Sequence, residues 1–540
     1  MRNKINLNYI KKQIKSKKGF ALLGTLILVF VVSTFGIALL TMTQNDIKLS
    51  TLQKASKETF YIAESGIEHA ISYLEEMGTP NFATPTNPFF TEENSGYLDM
   101  GNGKYKVTIE SYNTFSYIIQ STGERPWTNS SGKISKTIES KVTLENFAMY
   151  AYFSDNELFP EDIDHSYGGQ KIWFYGNDHI GGPLHSNERL HMAGTPTFEG
   201  PVTSAWVNPA TKPPDVSWEA YDSQTKPTFG SGYTGGVDII PLPQYREISK
   251  PDDPKSLQRI AAGSKEFIDT HEHENGAYVP DDGFNNVTGG IWVKGKVENL
   301  ILGTDPQGNS QIIVEQTGGV NKTTTITEIE TPVTIDGKTY PSGTTLVDYL
   351  QGTEHTYDPY SGYPNGVLYV NGEVKNLKST TGGLKGKLTI ASDSTITIGD
   401  NILYKTRVDD PTCFDVTEED PYPIIPDSLG LVSEGNIMIA SDAPPNLEIN
   451  AILMALGTSF YYEGWNNPPP KGDLTVHGSF IQTQRGPVGT FNSWGKVSGY
   501  TKNYNFDTRM SANNPGLGEA LPPYFPTTGK YIKLYWKEVD

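Results

Sequence analysis

One run with several ligand-type side chains is GNDHIGGPLHSNERLHMAG, where His179, His185 and His191 recur at even spacing beside Asp178 and Glu188. Imidazole and carboxylate together suit a divalent metal, and strands stacked on one another could bring two of these rings together. The spacing matches no zinc motif, however. His185-Ser186-Asn187 also reads as a hydrogen-bonded turn, since His and Asn serve turn positions well. The turn is the expectation, with the three histidines kept as weak candidate metal ligands and no cofactor assigned. His271-Glu272-His273-Glu274 is equally rich in ligand types, but a strand splits alternate residues between two faces and a helix scatters them. A solvated loop is expected there.

Glycan cleavage needs paired carboxyl groups, or a base beside bound calcium, in an aromatic-lined groove. Asp393, Asp400, Asp409 and Asp410 cluster in sequence, and surface acidity accounts for them without catalysis. No nucleophile elbow, phosphate loop or dinucleotide fingerprint accompanies them, so the chain is read as a non-enzyme. The aromatic groups Tyr357–Tyr363 and Tyr461–Trp465 could stack on sugar rings, meet a protein partner, or pack in β corners, and sequence does not separate these roles.

The elements that must position these residues follow from composition. Among 540 residues, 54 glycines, 36 prolines and 30 tyrosines stand against only 19% charged residues, which favours a turn-rich β protein of several modules over a helical or disordered one. Cys413 is the one cysteine, so no intrachain disulfide forms. The net charge is -19, yet residues 1–19 hold seven Lys or Arg and no acid. Taking those seven positives from -19 leaves -26 on residues 20–540. A body of that charge disfavours nucleic-acid binding, which needs clustered cations to displace phosphate counterions.

Phe20 to Leu40 runs 21 residues without a charge, long enough at about 1.5 Å per residue to cross roughly 31 Å of hydrocarbon. The basic flank before it places the N-terminus inside by the positive-inside rule, with everything past Leu40 outside. A cleaved secretory signal would end in a small-residue site. Here helical spacing continues instead through Leu49, Leu52, Phe60, Ala63, Ile67, Ala70, Ile71 and Leu74, until Gly78 and Pro80 end it.

These residues resemble a known family. Lys17-Lys18-Gly19-Phe20, followed at once by the apolar run, looks like the class III signal of type IV prepilins, and Phe60-Tyr61-Ile62-Ala63-Glu64-Ser65-Gly66-Ile67-Glu68 is similar to the N-terminal domain of PilX-type minor pilins. The resemblance covers about residues 15–75. It implies that a prepilin peptidase cuts between Gly19 and Phe20, that the new N-terminal phenylalanine is methylated, and that the helix packs against other pilins or pseudopilins, with Phe60, Ala63, Glu64 and Ile67 in the assembling segment. Major pilins carry glutamate at the fifth mature position, where this chain has Gly24. The substitution removes a charge-assisted bond to the neighbouring N-terminus and points to a minor subunit. The competing reading is an ordinary single-pass anchor with a basic flank.

Beyond a linker from Thr79 to Gly96, Lys104–Tyr112, Phe115–Gly123 and Ser135–Glu145 alternate like antiparallel strands. Further on, IWVKGKVENL at 291–300 returns as LYVNGEVKNL at 368–377, an offset of 77 residues. Repeats of this kind bury a face that one copy alone cannot, which points to stacked β coils. The expected architecture is mainly β with one long N-terminal α-helix. A basic leader (1–19) and a transmembrane and amphipathic helix (20–78) come first. A small antiparallel sheet (79–150) completes a pilin-like globule. An irregular β-solenoid (168–505) follows, with insertions at 207–254 and 320–365, the latter a hairpin around Asp336-Gly337, and a cap at 506–540. Asp253–Ile260 reads as a capped short helix. The expected role is a membrane-anchored minor pilin or pseudopilin-like subunit, its body outside the cytoplasmic membrane or carried into a pilus, for assembly or for adhesion to a surface glycan or protein receptor. The alternative is a permanently anchored carbohydrate-binding or polysaccharide-processing β-solenoid protein.

Overall fold

The computed structural model describes residues 17–78, 80, 82–113, 115–127, 132–176, 178–243, 248–317, 322–335, 337–351, 354–415, 417, 421–492, 495–514 and 516–539. Most of the basic leader, residues 1–16, lies outside the described residues, as does Asp336 at the expected hairpin tip. The chain is mainly β with one long N-terminal helix, as the composition and patterning imply. It divides into two compact units, Met1–Val142 with Lys533–Asp540, and Thr143–Ile532.

In the first unit, helix α1 (Lys17–Met77) is a single 61-residue rod that ends where Gly78 turns into the left-handed region at φ 77°. Its C-terminal half packs on a twisted sheet. Ala55, Ile62, Ala63, Ile67, Ala70, Ile71 and Leu74 are buried there, meeting the inward Tyr105, Val107 and Ile109 of strand Gly103–Ser111 and Tyr117 and Ile119 of strand Ser116–Pro126. The period-two alternation read from Tyr105, Val107 and Ile109 is thus the core-facing row. Burial of the helix begins at Ala55; Leu49 and Leu52 stay exposed, so the apolar spacing alone sets its packed half a turn or two too early. The sheet has five strands in the order Tyr97–Met100, Gly103–Ser111, Ser116–Pro126, Lys133–Asn146, Thr527–Val539. The last of these corrects the expectation that 506–540 only caps the coils, because Thr527–Val539 is an edge strand of this sheet. Its predominantly exposed side chains gave no buried face for sequence patterning to detect.

In the second unit, parallel strands stack into coils. One column runs Ile291–Lys294, Val367–Asn371, Lys387–Ser392, Ser428–Ser433, Leu447–Ala455 and Asp473–Gln484. A second column runs Asn299–Thr304, Val374–Ser379, Ile396–Ile398, Ile437–Ile439 and Phe460–Tyr462. The two copies of the repeat are adjacent rungs in register, Ile291 beside Leu368 and Trp292 beside Tyr369. Equivalent side chains therefore touch: Asn376 donates to Asn299 Oδ1 at 2.7 Å, Lys294 to Asn371 Oδ1 at 2.6 Å, and Lys375 pairs with Glu298 at 2.7 Å. Between the copies, Ser310–Gln316, Lys322–Ile329, Thr344–Gln351 and Glu354–Ser361 form an antiparallel extension of the second column that begins ahead of the insertion expected at 320–365. Inside it Val333–Ile335 and Lys338–Tyr340 pair antiparallel on either side of 336–337, where the hairpin is expected.

The coils do not stack in chain order. The N-terminal half of strand Asp473–Gln484 pairs with Thr501–Phe506, while its C-terminal half pairs with Tyr152–Asn156, so two segments far apart in sequence complete one rung. Further rungs follow from His179–Ile180 with Leu184–Ser186, then Thr197–Phe198 with Val202–Ser204, then Thr228–Phe229 with Tyr233–Gly235. The coil stack therefore includes Tyr152–Asn156, ahead of the expected start at 168. It also draws strands from 219–235, a stretch expected to be an excursion. Strands of two or three residues between Pro and Gly leave no alternation to recognise. Helices α2 (Leu257–Ala262) and α3 (Lys265–His271) follow. Their first turns are capped by Ser256, which accepts from Arg259 N, and Ser264, which accepts from Phe267 N. Strand Gly276–Tyr278 adds antiparallel to Ile291–Lys294 and covers that free edge.

Candidate functional site

The N-terminal half of α1 is the first candidate. Its residues from Ala21 to Leu40 are almost uniformly exposed, with Leu22 at 72% and Phe35 at 68%, and the helix is long and apolar enough to cross a membrane. Gly24 has nothing within 4 Å of where a Cβ would stand. Lys17, Lys18, Gly19 and Phe20 form the first turn of the helix. Lower down, Ala63 and Ile67 are taken up by the chain's own sheet. Phe60 is half-buried, with its ring 5.6 Å from that of Trp536. Glu64 is also only partly covered. Of the assembling positions implied by the resemblance, Gly24, Phe60 and Glu64 keep free surface.

The three histidines are separated by their strands. His179, on the rung edge, pairs with Glu199 at 2.9 Å. His185 is buried, its Nδ1 2.9 Å from Thr203 Oγ1 and its Nε2 2.9 Å from Asn187 Oδ1, and burial pushes its pKa down. His191 belongs to a different sheet, Phe174–Gly176, His191–Gly194 and Glu219–Ala220. Its Nε2 is 3.7 Å from Glu219 and its Nδ1 has no hydrogen-bond partner. Burial lowers its pKa to about 4, opposed by Glu219. Among the described residues, no group of three or more His, Cys, Asp or Glu is placed to hold a metal ion.

The other ligand-type clusters disperse as well. His271 is the last residue of α3, stacked on Phe267 at 4.0 Å, which corrects the expected loop at that one position, while Glu272, His273 and Glu274 are exposed turn and bend as expected; the capping serine three residues before Phe267 N is the signal that marks this helix. Asp393 accepts from Asn371, Asp400 from Asn401 N, Asp409 from Lys405 and Asp410 from Thr412. Each carboxylate is held by its own local partner. Tyr363 clamps the antiparallel extension by donating to Ile329 O at 2.7 Å.

Trp465, singled out from sequence, instead forms the floor of a cleft of about 590 Å³ within the second unit. Floor and rim come from different parts of the chain. Trp465 and Tyr500 are buried beneath, with Phe159 and Tyr167 each 5.1 Å from the Trp465 ring. On the rim, Trp173 and Tyr175 point into the cleft while Phe174 between them enters the core, the alternation a strand imposes. Facing them is the hairpin of Gly489–Asn492 and Gly495–Gly499, whose Phe491 stacks on Tyr175 at 3.5 Å and 14°. Phe491 remains 38% exposed and Tyr167 40%. Sequence reading missed the rim, although the Trp173-x-Tyr175 spacing is its trace.

Charge in the cleft is unusual for so acidic a chain. Lys502 pairs with Asp178 at 2.9 Å and Lys171 with Glu219 at 2.5 Å. Lys496 is held instead by Lys471 O at 2.7 Å, Gly472 O at 3.2 Å and Thr501 Oγ1 at 2.9 Å. Burial pushes the Lys496 and Lys502 pKa values down, and Asp473 and Asp178 respectively oppose it. Behind the rim, Arg485 bonds Glu157 at 3.0 Å and lies 3.7 Å from the Phe174 ring centre, both charges being buried. That pair ties strand Tyr152–Asn156 to the coil on which the cleft is built.

Residues 111–206 match a family described as a domain of unknown function, DUF4900. The match runs from the helix-packed sheet through the histidine strands and includes the rim residues Trp173 and Tyr175. No curated protein matches the chain, and no solved structure does.

Proposed function

We propose that the chain is a membrane-anchored minor pilin or pseudopilin-like subunit, which holds its β-rich body outside the cytoplasmic membrane and joins a filament or its initiating complex through α1. The observation that carries this reading is the division of one unbroken helix into two environments. Its C-terminal half is consumed by the chain's own sheet, while Ala21–Leu40 offers an apolar surface with no partner among the described residues. Such a surface needs lipid or a bundle of like helices around it. The Lys17-Lys18-Gly19-Phe20 junction supports the second fate after cleavage, because a cut there removes the basic leader and leaves the rod whole.

Deleting the prepilin peptidase from the host tests the reading. The protein should then migrate more slowly on a denaturing gel and disappear from sheared filament fractions. Identical mobility in both strains would leave an ordinary anchor as the explanation.

A further inference from the structure

We propose that the aromatic cleft between strand Phe174–Gly176 and the hairpin Gly489–Asn492/Gly495–Gly499 is a saccharide-binding site, taking a short stretch of a glycan chain with its sugar rings against Trp173, Tyr175 and Phe491. Three observations point to sugar as the occupant.

The first is where the rings lie. A ring that serves only to fill the core is covered, as Trp465 and Tyr500 are on the floor. Phe491 and Tyr167 stay more than a third exposed at the rim, and Tyr175 and Trp173 are only half-covered. Tyr175 and Phe491 cover one face of each other by stacking, and the exposure that remains on these rings suits the apolar C–H face of a pyranose, which gains contact area without having to bury hydroxyls.

The second is what lies between the rings. Thr490, Gln170 and Thr501 line the same space; each already makes one bond within the fold, to Ser498, Ser166 and Lys496 respectively, and keeps further donor or acceptor capacity for a hydroxyl. An apolar peptide or acyl chain would strip these groups of water without replacing the bonds.

The third is charge. The body is strongly acidic, yet once Lys171 is offset by Glu219 and Lys502 by Asp178, the cleft keeps one cation, Lys496, which is held by neutral oxygens and has no carboxylate within ion-pair distance among the described residues. This cation favours a saccharide carrying carboxylates over a neutral one, while the acidic surface around the cleft disfavours nucleic acid.

The proposal goes beyond the anchoring role and does not depend on it, since the cleft lies wholly in the second unit and can be assayed whatever the state of the N-terminus. Full-length protein in detergent would be titrated with defined oligosaccharides, namely oligogalacturonate, cello-oligosaccharide and chito-oligosaccharide, following the summed intrinsic fluorescence of its eight tryptophans, of which Trp173 and Trp465 line the cleft. Saturable binding is expected, with oligogalacturonate tighter than the neutral chains. Phe491→Ala and Tyr175→Ala should each weaken it at least tenfold with the far-UV circular dichroism unchanged. Lys496→Gln should narrow the gap between acidic and neutral chains. Absence of saturable binding to all three probes would overturn the proposal, as would binding that survives both rim substitutions unaltered. If the rim variants misfold, blocking of the fluorescence response by a probe-derived photo-crosslink mapped outside the cleft would overturn it equally.

Discussion

The Arg485 guanidinium and the Glu157 carboxylate are among the most deeply buried charges in the coils, 3% and 0% exposed. Tyr152 and Ser154 also donate to Glu157, so the carboxylate is fully engaged only while arginine is present. Arg485→Ala strands that charge in the interior and should cost about 3–5 kcal/mol, read as an earlier urea midpoint of the tryptophan signal. Glu157→Gln should cost less, because the arginine keeps carbonyl partners at Ile172 and Trp173. His191 supplies a pH effect of known sign. Its folded pKa of about 4 lies below the ordinary 6.5, so its neutral form is favoured by folding. The stability tied to it is complete above pH 6.5 and drains away as pH falls toward 4, by on the order of 1–3 kcal/mol. Glu328 and Glu434 work in the opposite direction, burial having raised each to about 7. The overall curve is therefore a balance. The difference between the parent and His191→Gln isolates the histidine: the variant should lose less stability between pH 6.5 and 4. A parallel pair of curves would contradict the assignment.

At the scale of elements, the contact between α1 and its sheet depends on missing side chains. A Cβ at Gly123 would stand 2.6 Å from Thr59 O and 2.8 Å from Ala63 N, and one at Gly66 would collide with Ser121 Oγ. These two glycines let helix and sheet backbones approach. Gly123→Val should push them apart and destabilise the first unit by roughly 1–3 kcal/mol or more, visible as faster hydrogen exchange in Tyr105–Ile109. Much of this unit was legible because its elements are long. A 21-residue apolar run, a 3.6-residue stripe and three alternating strands each repeat their signal several times. The strand Thr527–Val539 was not legible, since an edge strand with few buried side chains repeats nothing. The capped helix at 257 announced itself through Asp253 to Ser256, whereas α3 was missed because the stretch from His271 reads as a solvated loop and the cap at Ser264 before it was not used.

For the whole molecule, the 77-residue offset proved to be a spatial relation, adjacent rungs with Asn299 on Asn376 and Glu298 on Lys375. A repeat states which segments are neighbours, so that part of the body could be read directly. The rung made jointly from Tyr152–Asn156 and Thr501–Phe506 could not, because nothing local in either strand names its partner. The cleft inherits the same difficulty: Trp173 and Tyr175 come from one end of the coil-forming sequence, Trp465 and Phe491 from the other. Its chemistry was visible only in part, at Trp465, and the histidines that drew attention instead turned out to be spread over two sheets.

The fate of the N-terminal helix decides between the two readings of the anchor. The most direct test is the intact mass and N-terminal sequence of the protein purified from its own cells. The account predicts a chain that begins at Phe20, methylated on its amine, with Ala21–Leu40 retained. A chain beginning at Met1, or one cut beyond Leu40, would contradict it.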